Sequence, residues 1–191
     1  MRFEDGTVMR LYRQTVEDFS LYTGTELTEE QFRKLQIAAG EMSAKMRAVR
    51  IVSASNVSKK DLEQRLIHKG EDPNQAKAAV AWMAELDLLD DRRTAEQIVS
   101  SCIRKGYGMA RAKQALYEKR IPKEYWDEAL ADYPDQTNQI VTFLRSRLRE
   151  PYDRKQLQRA IDALIRRGHH YSDIRRGLQQ LSLDEDFTED Y

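Results

Sequence analysis

Three stretches of this sequence repeat one helical pattern, and this repetition constrains the fold more than any other feature. In each stretch a leucine stands three residues before a cationic turn, and a second helical segment follows the turn. The leucines are Leu66, Leu116 and Leu164, separated by 50 and 48 residues. Self-similarity at a nearly fixed period indicates a repeat array, in which each unit buries its apolar face against a neighbour. Arrays of this kind offer long surfaces, so we expect a macromolecular partner.

Helix start and stop signals divide the repeats into short helices. Ser58 is typical of a helix N-cap, and Gly70 ends the helix that Ser58 opens. Asp72-Pro73 then begins another helix, with aspartate as the cap and proline at the first helical position. We therefore predict a mainly α fold in which three tandem three-helix repeats form an elongated array. The predicted boundaries are 41–91, 92–134 and 135–183 for the repeats, with 1–40 as an N-terminal extension and 184–191 as an acidic tail.

The N-terminal extension is predicted to contain a small β-hairpin and a helix. Residues 2–4 and 7–11 flank Asp5-Gly6, a pair suited to the positive φ angles of a tight turn. Thr28 and Gln31 form a capping box, which opens a helix. Phe32, Leu35 and Ile37 are expected on one face of that helix.

Composition limits the class of protein. Eight glycines and four prolines are too few for an all-β design, and no apolar run reaches the length of a membrane span. Residues 1–20 lack the apolar stretch of a signal peptide. A single cysteine, Cys102, excludes an intramolecular disulfide. We expect a cytoplasmic protein that has no membrane association.

Charge is distributed unevenly, although the whole chain is neutral. Residues 41–183 carry 27 basic and 20 acidic side chains, a net charge of +7, and the tail 184–191 carries five acids and no base. A cationic body suits a polyanion such as nucleic acid, or an acidic protein groove. Solvated helix faces account for basic clusters equally well.

Catalytic and metal-binding patterns find no support in the sequence. Gly106-Tyr-Gly108 lacks the lysine of a phosphate loop and the third glycine of a dinucleotide fold, so we interpret it as a helix-breaking turn. Asp90-Asp91 suits a helix N-terminus better than a metal site. The three histidines have no ligand partners at zinc spacing. We expect neither enzymatic activity nor a cofactor.

The basic clusters are the stronger functional signal. Cations near a helix C-terminus stabilise the helix dipole, which accounts for part of the pattern. This explanation does not cover clusters elsewhere, and arginine suits phosphates and carboxylates alike. The candidate binding residues are Arg104, Lys105, Arg111, Lys113, Lys119, Arg120, Arg145, Arg147, Arg149, Arg166, Arg167, Arg175 and Arg176.

Three segments together resemble the RecX family, bacterial regulators of the RecA recombinase. They are 58–70 with the exit 86–91, the central segment 104–121 that contains Arg104-Lys-Gly-Tyr-Gly108, and 164–174 that contains Arg166-Arg-Gly168. The resemblance covers about residues 41–183. One departure is Arg120, which stands where the family pattern has glycine.

The resemblance implies a regulator, expected as a monomer, that lies in the groove of the RecA–single-stranded DNA filament and hinders its growth, ATP turnover and strand exchange. Contact with the DNA strand is direct or through the filament, and the acidic tail is expected to compete for the cations. Two alternatives stay open: a general nucleic-acid-binding helical module and a protein-interaction scaffold.

Overall fold

The computed structural model describes residues 1–4, 6–148 and 153–182, and the secondary structure in these ranges is helical. The expectation of a mainly α fold is confirmed. The helices are α1 (Arg13–Asp18), α2 (Glu29–Ala54), α3 (Lys59–His68), α4 (Pro73–Glu85), α5 (Asp91–Arg104), α6 (Met109–Glu118), α7 (Trp126–Leu130, after a 3₁₀ turn at Lys123–Tyr125), α8 (Thr137–Arg147), α9 (Arg154–Arg166) and α10 (Tyr171–Gln180). No helix in the described ranges has the length and apolarity needed to cross a membrane.

The chain divides into two compact units between Asp90 and Asp91. In the first unit α2, α3 and α4 enclose one buried cluster, which includes Ala48, Leu62 and Met83. The second unit has two clusters. One lies among α5, α6 and α7, and the other among α8, α9 and α10. Apart from α2, these helices have at most 14 residues and are marginal alone, so the clusters stabilise them by burying their apolar faces. The repeat boundaries stay predictions.

Three turns share one hydrogen-bonding pattern. In each, the amide five residues after the leucine donates to the leucine carbonyl: Glu71 to Leu66 at 3.1 Å, Ile121 to Leu116 at 3.0 Å, and His169 to Leu164 at 3.2 Å. This is the Schellman pattern, which satisfies carbonyls at a helix end. The repetition seen in the sequence is therefore a repetition of local structure.

The Schellman pattern requires one residue in the left-handed region. Gly70 has φ +90° and Gly168 has φ +83°, and Arg120 takes the same position with φ +53°. A side chain is disfavoured there by about 1–2 kcal/mol because the Cβ crowds the following carbonyl oxygen. Arg120 therefore adopts a left-handed backbone conformation that favours glycine, and this conformation destabilises the fold.

The helix caps that the sequence predicts at Thr28, Ser58 and Asp72 are confirmed. The Ser58 hydroxyl accepts from the Asp61 amide at 3.0 Å, and the Asp72 carboxylate accepts from the Asn74 amide at 2.8 Å. Thr28 makes the predicted capping box at the start of α2. These bonds satisfy amides that have no intrahelical partner.

The predicted N-terminal β-hairpin is not confirmed. An antiparallel bridge pairs Arg2 with Val8, and no strand forms among the described residues; Asp5 of the predicted turn lies outside them. Two short segments without a third strand have too little apolar surface to hold a ladder.

Helix α2 departs from the predicted pattern in two ways. It continues without a break past Gly40, where the predicted extension ends. Ile37 is 51% exposed, whereas Leu35 is fully buried. Two residues span about 200° of a helix, so Ile37 faces away from Leu35, and the prediction that both share a face was wrong. The fully buried side chains farther along α2 are Ala44 and Ala48.

Candidate nucleic-acid interface

Two turns of the second unit contact each other backbone to backbone. The Gly108 amide donates to the Arg167 carbonyl at 2.9 Å, and the Ala110 amide donates to the Gly168 carbonyl at 3.3 Å. A Cβ on Gly108 would lie 1.9 Å from the Gly168 carbonyl oxygen, and a Cβ on Gly168 would lie 2.3 Å from the Arg111 nitrogen. Both positions therefore require glycine. This contact joins the turn between α5 and α6 to the turn between α9 and α10.

Sequence reasoning predicted the helix-breaking turn but missed this contact. Gly106 has φ +63°, as the turn requires. Gly108 has φ −76°, which any residue adopts, so the turn does not explain a glycine there. A second glycine just past a helix-ending glycine was the available signal for a close approach.

A buried histidine lies beside the contact. His169 is 6% exposed, and its Nε2–H donates to the Gly106 carbonyl at 3.0 Å. Its Nδ1 is buried and has no hydrogen-bond partner in the described residues. Burial lowers the pKa of His169, more than the Gly106 hydrogen bond raises it. The imidazole is thus held neutral, because a second N–H would be buried without an acceptor.

Arg167 connects the two turns through its side chain. Its guanidinium donates to the Lys105 carbonyl at 2.7 Å. It also lies 5.2 Å from the ring centre of Tyr107 and 5.3 Å from that of Phe143, within the range of cation–π attraction. The Tyr107 carbonyl accepts from the Tyr133 hydroxyl at 2.7 Å, and burial raises the pKa of Tyr133 to about 12, so this donor stays protonated. Arg167 is fixed in place from three sides.

Phe143 and Arg167 line two grooves at once, so this pair borders both. The first, which we call the Arg104 groove, has a volume of about 410 Å³. The second, the Arg111 groove, has a volume of about 320 Å³. The Arg104 groove is further lined by Arg104, Lys105, Gly106, Asn138, Gln139, Thr142, Ser146, Leu164 and His169. The Arg111 groove is further lined by Tyr107, Arg111, Arg147, Ala163 and Arg166.

Six of the predicted cations line these grooves, although they come from segments about 60 residues apart. They are Arg104, Lys105, Arg111, Arg147, Arg166 and Arg167. Arg111 pairs with Glu118 at 3.1 Å. Arg104, Lys105, Arg147 and Arg166 form no ion pair within the described ranges, and all four are exposed. Their positive charge is therefore available to an anionic partner.

The other predicted cations that the structure describes line neither groove. Lys113 and Arg145 are exposed on α6 and α8, Lys119 and Arg120 form the turn after α6, and Arg175 is exposed on α10. Arg176 pairs with Asp173 at 2.6 Å and lies 3.6 Å from Asp135. Arg149 lies outside the described residues.

A further groove of mixed charge, with a volume of about 700 Å³, lies between α8 and α10 and is lined by Asp135, Arg176 and neighbouring polar residues. Hydrogen bonds from the Thr137 hydroxyl and amide lower the pKa of Asp135. In the described part of the chain, no three carboxylate, imidazole or thiol groups cluster as metal ligands would. Asp135 and Asp173 neutralise the charge of Arg176, so this groove attracts anions less than the other two.

Comparisons with known proteins agree on one family. Residues 90–130 match the family model described as "RecX, second three-helix domain". The "Regulatory protein RecX" of Xanthomonas axonopodis pv. citri is 30% identical over 138 residues, 71% of this chain and 85% of that protein. The protein with the same description from Streptococcus sanguinis is 24% identical over 97% of this chain and 74% of its own length. A solved structure described as "Crystal structure of regulatory protein RecX" superposes with a TM-score of 0.67 at 21% identity, over 94% of this chain and 92% of that one, and supports the fold alone.

Proposed function

Because this chain belongs to the RecX family of regulatory proteins, we propose that it regulates a RecA-type recombinase by binding the filament that RecA forms on single-stranded DNA. Binding hinders filament growth, ATP turnover and strand exchange. The contact surface consists of the Arg104 groove, the Arg111 groove and the six cations that line them.

The observation that carries the proposal is the grouping of these cations. Two of the three sequence segments that resemble the family, 104–121 and 164–174, supply five of the six groove cations. Four of the six are exposed and form no ion pair within the described residues. Each phosphate that such a group neutralises releases a counterion. If all six contact phosphates of a single strand, the slope of log affinity against log salt is roughly −4.

The finer architecture is part of the same proposal. Three helix groups, each with its own buried cluster, follow one another along the chain. We propose that they act as tandem repeats of an elongated array, which contacts successive protomers of the filament. A bridge of this kind slows dissociation, because several weak contacts must break together.

ATP hydrolysis by the cognate recombinase on single-stranded DNA tests the proposal directly. Addition of this protein at amounts stoichiometric with recombinase is expected to lower the rate. An unchanged rate at these amounts contradicts the proposal.

The two alternatives give different results in the same system. A general nucleic-acid-binding module binds DNA tightly and leaves the ATPase of a preformed filament unchanged. A protein scaffold binds its partner with equal affinity after Arg104, Arg147 and Arg166 are replaced by glutamine. The proposed regulator lowers the ATPase rate of a preformed filament and loses this effect when these cations are replaced.

A further inference from the structure

We propose that the Arg104 groove and the Arg111 groove each receive one unstacked nucleotide of the same DNA strand, with the Phe143–Arg167 pair between the two bases. The inference rests on the proposed function, because it concerns the same surface. It goes further in assigning binding sites for individual bases to the two grooves.

The lining of the Arg104 groove has the chemistry of a site for a nucleobase. Asn138, Thr142 and Ser146 are spaced four residues apart, so they follow one line along α8, and all three are exposed. Gln139 lies on the neighbouring line, and the half-buried Phe143 ring adds an apolar surface. The side-chain amides of Asn138 and Gln139 can both donate and accept hydrogen bonds, as base edges do. The Thr142 and Ser146 hydroxyls donate to backbone carbonyls of α8, so their oxygens serve as acceptors. A volume of about 410 Å³ is within the range of small-molecule sites.

The cations are placed for the strand's backbone. Arg104 and Lys105 lie at the C-terminal end of α5 and line the first groove, and Arg147 and Arg166 line the second. A strand that crosses from one groove to the other therefore meets exposed positive charge along its whole path. A positively charged groove with an aromatic ring beside it, here Phe143, is the arrangement that single-strand-binding grooves use.

The Phe143–Arg167 pair explains why a single strand fits better than a duplex. Arg167 is bonded to the Lys105 carbonyl and lies over Tyr107, so it forms a fixed partition and not a flexible arm. Bases on the two sides of this partition cannot stack on each other. A duplex would have to unstack and unpair to enter, which costs a few kcal/mol per base.

Filling the first groove without changing its charge tests the inference. The variant Asn138→Leu with Thr142→Leu places aliphatic side chains on the exposed face of α8, where they cannot stack like an aromatic ring. The matched control is Gln156→Leu with Gln158→Leu, two exposed residues of α9 that line neither groove. Fluorescence anisotropy, without recombinase, measures binding to oligothymidine, to an abasic strand of equal length and to a duplex.

We expect the groove variant to bind oligothymidine roughly tenfold more weakly than the unaltered protein, the size of one lost base contact. Its affinity for the abasic strand and its salt slope are expected to stay unchanged, because the cations are intact. The control is expected to match the unaltered protein on every ligand.

Three results overturn the inference: a groove variant that binds oligothymidine as tightly as the unaltered protein, an unaltered protein that prefers the duplex or the abasic strand, or no binding of single strands at all. A parallel ATPase titration separates this failure from that of the proposed function. If the unaltered protein lowers the ATPase rate and the groove variant does so equally, the regulator stands and the nucleotide sites do not.

Discussion

Replacing Gly108 by alanine tests the contact that creates the grooved surface. The new Cβ would lie 1.9 Å from the Gly168 carbonyl oxygen and 2.4 Å from the His169 nitrogen, so backbone and not a flexible side chain must move. Separation of the two turns breaks the Gly108–Arg167 and Ala110–Gly168 backbone bonds and the His169 bond to Gly106. At about 1 kcal/mol each, these losses lower the free energy of unfolding by about 3 kcal/mol. Alanine also lowers the backbone entropy of the unfolded chain, which raises the free energy of unfolding by less than 1 kcal/mol and offsets only part of this loss.

Urea unfolding in a Trp82→Phe background measures this change, because fluorescence then reports Trp126 of the second unit. Gly70→Ala, measured through Trp82 in a Trp126→Phe background, is the control. Gly70 has φ +90° but no atom within 4 Å of an added Cβ, so its substitution costs only the left-handed conformation, about 1 kcal/mol. If Gly108→Ala changes the free energy of unfolding by less than 0.5 kcal/mol, roughly the effect of an ordinary surface substitution, the reasoning about this contact is wrong.

Three further predictions concern stability. Burial lowers the pKa of His169 below its unfolded value near 6.5. The contribution of His169 to the free energy of unfolding is therefore complete above pH 6.5 and is lost as the pH falls toward the lowered pKa. Between pH 7.5 and 5.5, urea unfolding of His169→Gln is expected to show a smaller decrease in the free energy of unfolding than urea unfolding of the unaltered protein. Arg120→Gly removes a side chain from a residue at φ +53° and is expected to raise the free energy of unfolding by up to about 1 kcal/mol, with a slightly higher melting temperature. A lower melting temperature would refute the proposed backbone strain. The Glu71 side chain is 7% exposed and forms an ion pair with Arg47 at 2.8 Å. Arg47→Met leaves this buried carboxylate without its cation and is expected to lower the free energy of unfolding by about 2–3 kcal/mol. The control Arg33→Met, which removes an exposed ion pair on α2, is expected to change it very little.

The helices could be predicted because their signals are local. Ser58 and Asp72 cap helices through hydrogen bonds between residues only three apart. In the three Schellman turns the hydrogen bond to the leucine carbonyl joins residues only five apart. A local pattern misleads where tertiary packing decides the outcome. Ile37 was assigned to the buried face from the nearby apolar residues, although the angle between it and Leu35 places it in solvent. The hairpin at Arg2 and Val8 had a suitable turn sequence but no third strand to extend its ladder.

The candidate site was only partly visible in the sequence. Charge identified the cations, but nothing local groups Arg104 with Arg166, because the backbone contact between Gly108 and Gly168 joins segments that are 60 residues apart. Phe143 escaped notice because an aromatic residue on an amphipathic helix is typical of a core. Its position beside two grooves depends on Arg167, which follows α9, a different helix of the same group.

Binding of matched charge variants to the recombinase filament tests the central claim most directly. One variant replaces Arg104, Lys105, Arg147 and Arg166 by glutamine; the other replaces four exposed lysines outside both grooves. These are Lys60, Lys77, Lys123 and Lys155. Both variants lose four positive charges, so a purely nonspecific attraction weakens both equally. The grooved surface predicts that the first variant loses filament binding and ATPase inhibition and that the second keeps both. Equal losses in the two variants, or retention of both activities by the first, would contradict the account.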